Sequence, residues 1–194
     1  LRGRQTPIAD RQALQRFLET RANLVAQSSL YGYLRARAGM RFPQLFSDDF
    51  FVRSINIAKW QLWLACLGDI TVYAGGLVAS RTGASREAVG ELMREATEAV
   101  LAAAGTPADA GPEFGDAAER LRQRLALCDW PSVGDDESAF SESPGALVRH
   151  APIVEELMQL DEPIVRNSVR FRWQEVRRDL RRDLDAAAVL GSGS

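Results

Sequence analysis

WQLWLACLGDITVYAGGLVA, residues 60–79, is an apolar run whose only formal charge is Asp69. A helix that is apolar on every side must leave water, so this stretch is either the buried centre of a helical domain or a membrane span. About 20 residues suffice to cross a bilayer. Against a span stand Gln61, Thr71 and the central aspartate, which costs about 2.5–3.5 kcal/mol in hydrocarbon. Gly68, Gly75 and Gly76 dilute the hydrophobicity further. These interruptions favour a buried core helix. The alternative is a membrane-attached subunit anchored through residues 46–79, with Phe46, Phe50 and Phe51 dipping into the lipid surface.

Helical periodicity continues on both sides of this run. From Asp10 onward a first helix carries Leu14, Phe17, Leu18, Leu24, Val25, Ser28 and Tyr31 on one stripe, and Gly39 is placed to end it. Ser47 is the expected cap of the central helix, which reaches Thr82 unless Gly75 and Gly76 bend or break it. Ser85 opens a third helix whose apolar face is Val89, Leu92, Met93, Ala96, Val100 and Ala103. Asp116 and Glu119 have capping-box spacing for a fourth. Ser143-Pro144 reads as cap plus first turn of a fifth, and Pro163 is expected to open a sixth, running to about Leu190. No alternation of strand type appears. The fold class is therefore all-α, a single bundle of about six helices over residues 10–190, with a long buried central helix and a long amphipathic C-terminal one. Residues 1–9 are expected to be a mobile arm, and residues 191–194, Gly-Ser-Gly-Ser, read as an appended linker.

At 194 residues and net charge −2, nothing in the overall balance draws the chain to nucleic acid. The distribution is more informative. Residues 1–41 hold eight arginines against Asp10 and Glu19, and residues 100–145 hold nine acids against Arg120, Arg122 and Arg124. Such opposed blocks can pair within the fold, between subunits or with a partner. The two cysteines, Cys66 and Cys128, lie in apolar helical patterns and read as free thiols in a reducing, cytoplasmic setting. The chain opens on Leu1 without a start methionine, so whether a leader preceded it stays open.

Catalytic signatures are sparse. His150 is the only histidine, so a hydrolase of the Ser-His type would have to use it, with Ser143 as the nearest serine of interest. No G-x-S-x-G elbow, no phosphate-binding glycine loop and no H-x-x-x-H or E-x-x-H metal spacing occurs. No metal and no cofactor is expected. Asp69 is the sharpest candidate residue, because a buried carboxylate must be neutralised or paired. On a helix it shares a face with Cys66 and Tyr73, and these three define a candidate ligand site for an apolar molecule. The competing reading pairs Asp69 with an arginine from another helix.

Interaction features outnumber catalytic ones. Phe42, Phe46, Phe50 and Phe51 cluster at a connector and a helix start, where they either cap the bundle or form a contact patch. Val165, Val169, Trp173, Val176, Leu180 and Leu184 form a narrow seam close to a heptad pattern, suited to packing on the bundle or on a second subunit. The arginines around it are interleaved with Glu175, Asp179, Asp183 and Asp185, unlike the unopposed basic face of a nucleic-acid helix. The sequence therefore points to a non-catalytic helical interaction protein, with a protein partner or self-association. The competing readings are a small-molecule hydrolase or ligand carrier at Asp69, and the membrane-attached subunit.

Overall fold

The computed structural model describes residues 6–193. Its helices are α1 (Arg11–Ala38), the single turn α2 (Phe42–Leu45), α3 (Asp49–Thr82), α4 (Arg86–Ala104), α5 (Phe114–Ala126), α6 (Ser143–His150), α7 (Glu155–Asp183) and the short α8 (Ala186–Gly191). Among the described residues no sheet forms, only an isolated parallel bridge between Ile8 and Leu184. The fold is an all-α bundle with a long central helix.

That central helix is α3, which contacts α1, α4, α5, α6 and α8. From Gln61 to Ala79 every residue except the half-buried Ala65 is buried. The helix is long and apolar enough to cross a membrane, but 94% of its most apolar window is covered by neighbouring helices. Gly75 and Gly76 leave it unbroken, and their role lies in packing. A Cβ on Gly75 would stand 2.3 Å from the Trp130 ring, and one on Gly76 would stand 2.5 Å from Val133. Only glycine lets the segment after α5 press Trp130 against the helix backbone.

Capping follows side-chain chemistry closely. Ser85, the expected start of α4, accepts the Ala88 N–H at 3.1 Å, and Asp10 caps α1 by accepting the Ala13 N–H at 2.7 Å. For α3 the cap is Asp48 rather than Ser47; its Oδ1 accepts the Phe50 and Phe51 amides. Gly39 and Gly83 end α1 and α3 at positive φ, where a side chain is strained. Helix α5 starts at Phe114, ahead of the expected Asp116 cap.

Two expectations for the C-terminal helix are corrected. Pro163 does not open a helix but lies inside α7, whose first residue is Glu155. A proline costs one main-chain hydrogen bond there, and the buried contacts of Met158 before it and Val165 after it hold the helix through that loss. The C-terminal helix ends at Asp183, and α8 restarts after Leu184. The reason lies at the other terminus. Ile8, 5% exposed, donates to the Asp183 carbonyl at 2.8 Å and accepts from the Asp185 amide at 2.9 Å. The expected arm is thus anchored from Ile8 onward; residues 1–5 of it lie outside the described residues. At the far end Gly191 belongs to α8, and the Ser192 hydroxyl accepts the Arg11 amide at 3.2 Å, so the expected linker is tied to the start of α1.

The opposed charge blocks are neutralised elsewhere. Arg21 pairs with Asp179, Arg37 with Asp161 and Arg11 with Glu95. The acidic segment pairs through Asp135 with Arg177 and Arg181, and through Asp109 with Lys59. Among the described residues no ion pair joins the two blocks.

Candidate functional site

Asp69 is fully buried, and three donors converge on it. Arg124 of α5 reaches its Oδ1 at 2.8 Å, the Glu142 amide the same oxygen at 3.2 Å, and the Ser143 amide its Oδ2 at 2.8 Å. Helix α6 has no side-chain cap of its own. The carboxylate that caps it arrives from the middle of α3, where it meets the positive end of the α6 dipole. Burial raises the carboxyl above the usual aspartate range, and Arg124 and the Ser143 bonds pull the other way. The pairing with an arginine from another helix is the reading this geometry supports.

The rest of the expected ligand triad disperses. Cys66 is fully buried with its thiol pushed well up by burial and by Asp69, so it is held as the neutral thiol. Cys128 is half-buried, and both thiols are free. Tyr73 donates to Asp135 at 2.5 Å and packs at a tilt against Phe140, its hydroxyl raised to about 12 by burial and by that bond. Asp69, Cys66 and Tyr73 are all shut off from solvent. Ser143 is equally enclosed. Its hydroxyl accepts the Trp173 indole N–H at 2.9 Å, and among the described residues no bond links it to His150. The Ser143–His150 hydrolase arrangement is therefore not assembled. Among the described residues no cluster of three His, Cys, Asp or Glu side chains has metal-binding geometry.

The partner seam is also reassigned. Val165, Val169, Trp173, Val176, Leu180 and Leu184 are all buried in the bundle. Trp173 stacks on Phe140 at 4.6 Å between ring centroids, which locks α7 onto the segment before α6. The opposite side of α7 carries apolar residues that the seam drew attention away from. Leu160, Ile164 and Phe171 are 74%, 73% and 71% exposed, and Leu157 stands on the same stripe. Spacings of three, four and seven align all four on one line. The connector cluster divides: Phe42 and Phe51 pack against the core, while Phe46 and Phe50 are exposed beside Met40.

What sequence reading missed is a cleft of about 520 Å³ between α3, α5 and α6. Gln61 and Ala65 come from α3, Arg120 and Arg124 from α5, and Arg149 and His150 from α6, with Glu142 at the start of α6. Burial lowers the His150 pKa, helped by the nearby Arg149; Glu113 pulls the other way, and Arg120 adds the smallest lowering effect. These residues come from three separated segments and form no motif, so spacing could not reveal them. Arg120 and Arg124, one turn apart on α5, are the only local signal.

Comparison with protein-family models, with curated proteins and with solved structures returns no match for this chain.

Proposed function

We propose that this chain is a non-catalytic interaction protein that pairs with a second copy of itself through the outer face of α7. The observation that carries the reading is the exposed stripe Leu157, Leu160, Ile164 and Phe171, an apolar line on a helix whose opposite face is already satisfied by the bundle. Charge along α7 names the occupant. Its first turn holds the exposed Glu155 and Glu156, and its later turns carry the exposed Arg170 and Arg178 with the half-buried Arg172. Two copies of α7 laid antiparallel about Ile164 bring the acidic half of each against the basic half of the other. In that register Leu157 faces the second copy's Phe171 and Glu156 its Arg172, as a two-fold interface requires. The stripe spans about 21 Å at 1.5 Å per residue, which suits a modest, concentration-dependent dimer. Free thiols at Cys66 and Cys128 agree with the cytoplasmic setting proposed for such an assembly.

Light scattering across a concentration series tests this. The expected result is a dimer that weakens at high salt and is abolished by Ile164→Glu, with the circular dichroism spectrum unchanged. A strict monomer at the highest concentration refutes it.

A second reading, contact with an anionic membrane surface, rests on Met40 and Phe50, 96% and 79% exposed, beside the exposed Arg41 and Arg53. Salt-sensitive co-sedimentation with anionic vesicles, lost in Phe50→Ser, supports it; no co-sedimentation removes it.

A further inference from the structure

The α3–α5–α6 cleft has the size of a small-molecule site and an excess of unspent positive charge. Arg124 is committed: one guanidinium nitrogen holds Asp69, and another donates to the Ala139 carbonyl and the Ser141 hydroxyl. Arg120 and Arg149 have no hydrogen bond or ion pair among the described residues, although the protein is otherwise dense in arginine–carboxylate pairs. Glu142 is the one carboxylate on the cleft wall. With Asp69 and Arg124 cancelling, the wall carries a net single positive charge when His150 is neutral. Gln61 supplies the second, independent observation. It is 5% exposed, and its Nε2 is buried without an acceptor although it lines the same cleft. Two free guanidinium groups and one unsatisfied amide donor belong to residues that line a common space, and all three ask for oxygen acceptors.

We propose that this cleft binds a small oxyanion, the phosphate or carboxylate group of a compact metabolite, with Arg120 and Arg149 clamping its oxygens and Gln61 Nε2 donating to it from the floor. The apolar wall of Leu64, Ala65, Leu121 and Ala146 leaves room for a short carbon skeleton beyond the anionic group. His150 borders the same space, where burial first and the Arg149 and Arg120 charges second lower its pKa, so an anion placed between the two arginines offsets the charge part of that effect. The chain has a single histidine, which makes this coupling directly observable.

The test uses the full chain at constant ionic strength with two probes, inorganic phosphate and succinate, followed by calorimetry and by the proton resonance of the His150 ring. The expected result is saturable binding of at least one probe, with an upward shift of the His150 midpoint at saturation. Arg120→Gln and Arg149→Gln should each weaken binding about tenfold or more, the usual scale of a lost charge-assisted bond. Arg94→Gln, on a different face, should leave it unchanged. Gln61→Glu, which replaces the donor with a like charge, should abolish it, and thermal melting of each variant checks that the fold persists. Phosphate saturating alone assigns a phosphate ligand; succinate saturating alone assigns a carboxylate. No saturation by either probe with an unmoved His150 overturns the proposal, as does saturation that survives loss of both arginines.

Discussion

Replacing Asp69 with asparagine removes a charge that three donors share, and the structure sets the size of the loss. The carboxylate accepts from Arg124, from the Glu142 amide and from the Ser143 amide, all within 3.2 Å. Asparagine keeps one acceptor oxygen and turns an NH₂ toward a donor, so at least one buried N–H is left facing another. Removing one partner of a buried ion pair typically costs about 3–5 kcal/mol. The Arg124 side chain is 24% exposed, so water recovers part of its charge, and the lower end, about 3 kcal/mol, applies. For a chain of 194 residues this corresponds to a fall in melting temperature of roughly 6–12 °C. Calorimetric melting gives the magnitude. Amide hydrogen exchange at Glu142 and Ser143 gives the location, since the loss should concentrate at the start of α6. A double-mutant cycle with Arg124→Gln should return a coupling of about 1–3 kcal/mol. A stability loss below about 1 kcal/mol, with exchange at α6 unchanged, would refute the claim that α3 caps α6 through this carboxylate.

Other expectations follow from the same packing. Gly75→Val drives two methyl groups into the Trp130 ring and should cost about 1–3 kcal/mol on denaturant unfolding. Gly115→Ala, where an added Cβ meets nothing within 4 Å, should instead be neutral or stabilise by up to about 1 kcal/mol. On α7, Trp173→Ala should lose about 3–5 kcal/mol, whereas Ile164→Ser should stay within about 0.5 kcal/mol in the monomer, since one face is core and the other is solvent. His150 is held below its ordinary pKa of 6.5, so the unfolded chain takes up its proton first. The contribution of His150 to stability is therefore complete above about pH 6.5 and is lost as the pH falls through the lower folded value. His150→Asn should flatten that part of the stability–pH profile, and an unchanged slope would show that another group sets it.

Much of the helix inventory could be read from local chemistry. Ser85, Gly39 and Gly83 act where their side chains, or lack of them, predict, because a cap depends on a few neighbouring backbone groups. The core status of α3 follows from its composition. The chain also announced that Asp69 needed a partner. It did not say that Arg124 and the α6 amides would supply one, since those groups lie 55 to 74 residues away.

Faces and gaps were decided only by tertiary packing. The periodicity of α7 shows two apolar stripes, and a stripe by itself does not say which one meets the bundle. Val165, Val169 and Trp173 were taken inside by α6 and Phe140, which left Leu160, Ile164 and Phe171 to solvent. Pro163 looked like a helix start because local propensity penalises it, yet burial on either side outweighed one missing hydrogen bond. At the cleft Gly68 of α3 lets Leu121 and Arg124 of α5 approach closely, and the docking of α5 and α6 on α3 brings Arg120 and Arg149 to one cleft from distant segments. A side chain's capping chemistry travels with the residue, whereas its neighbours across a cleft are set by how whole helices dock.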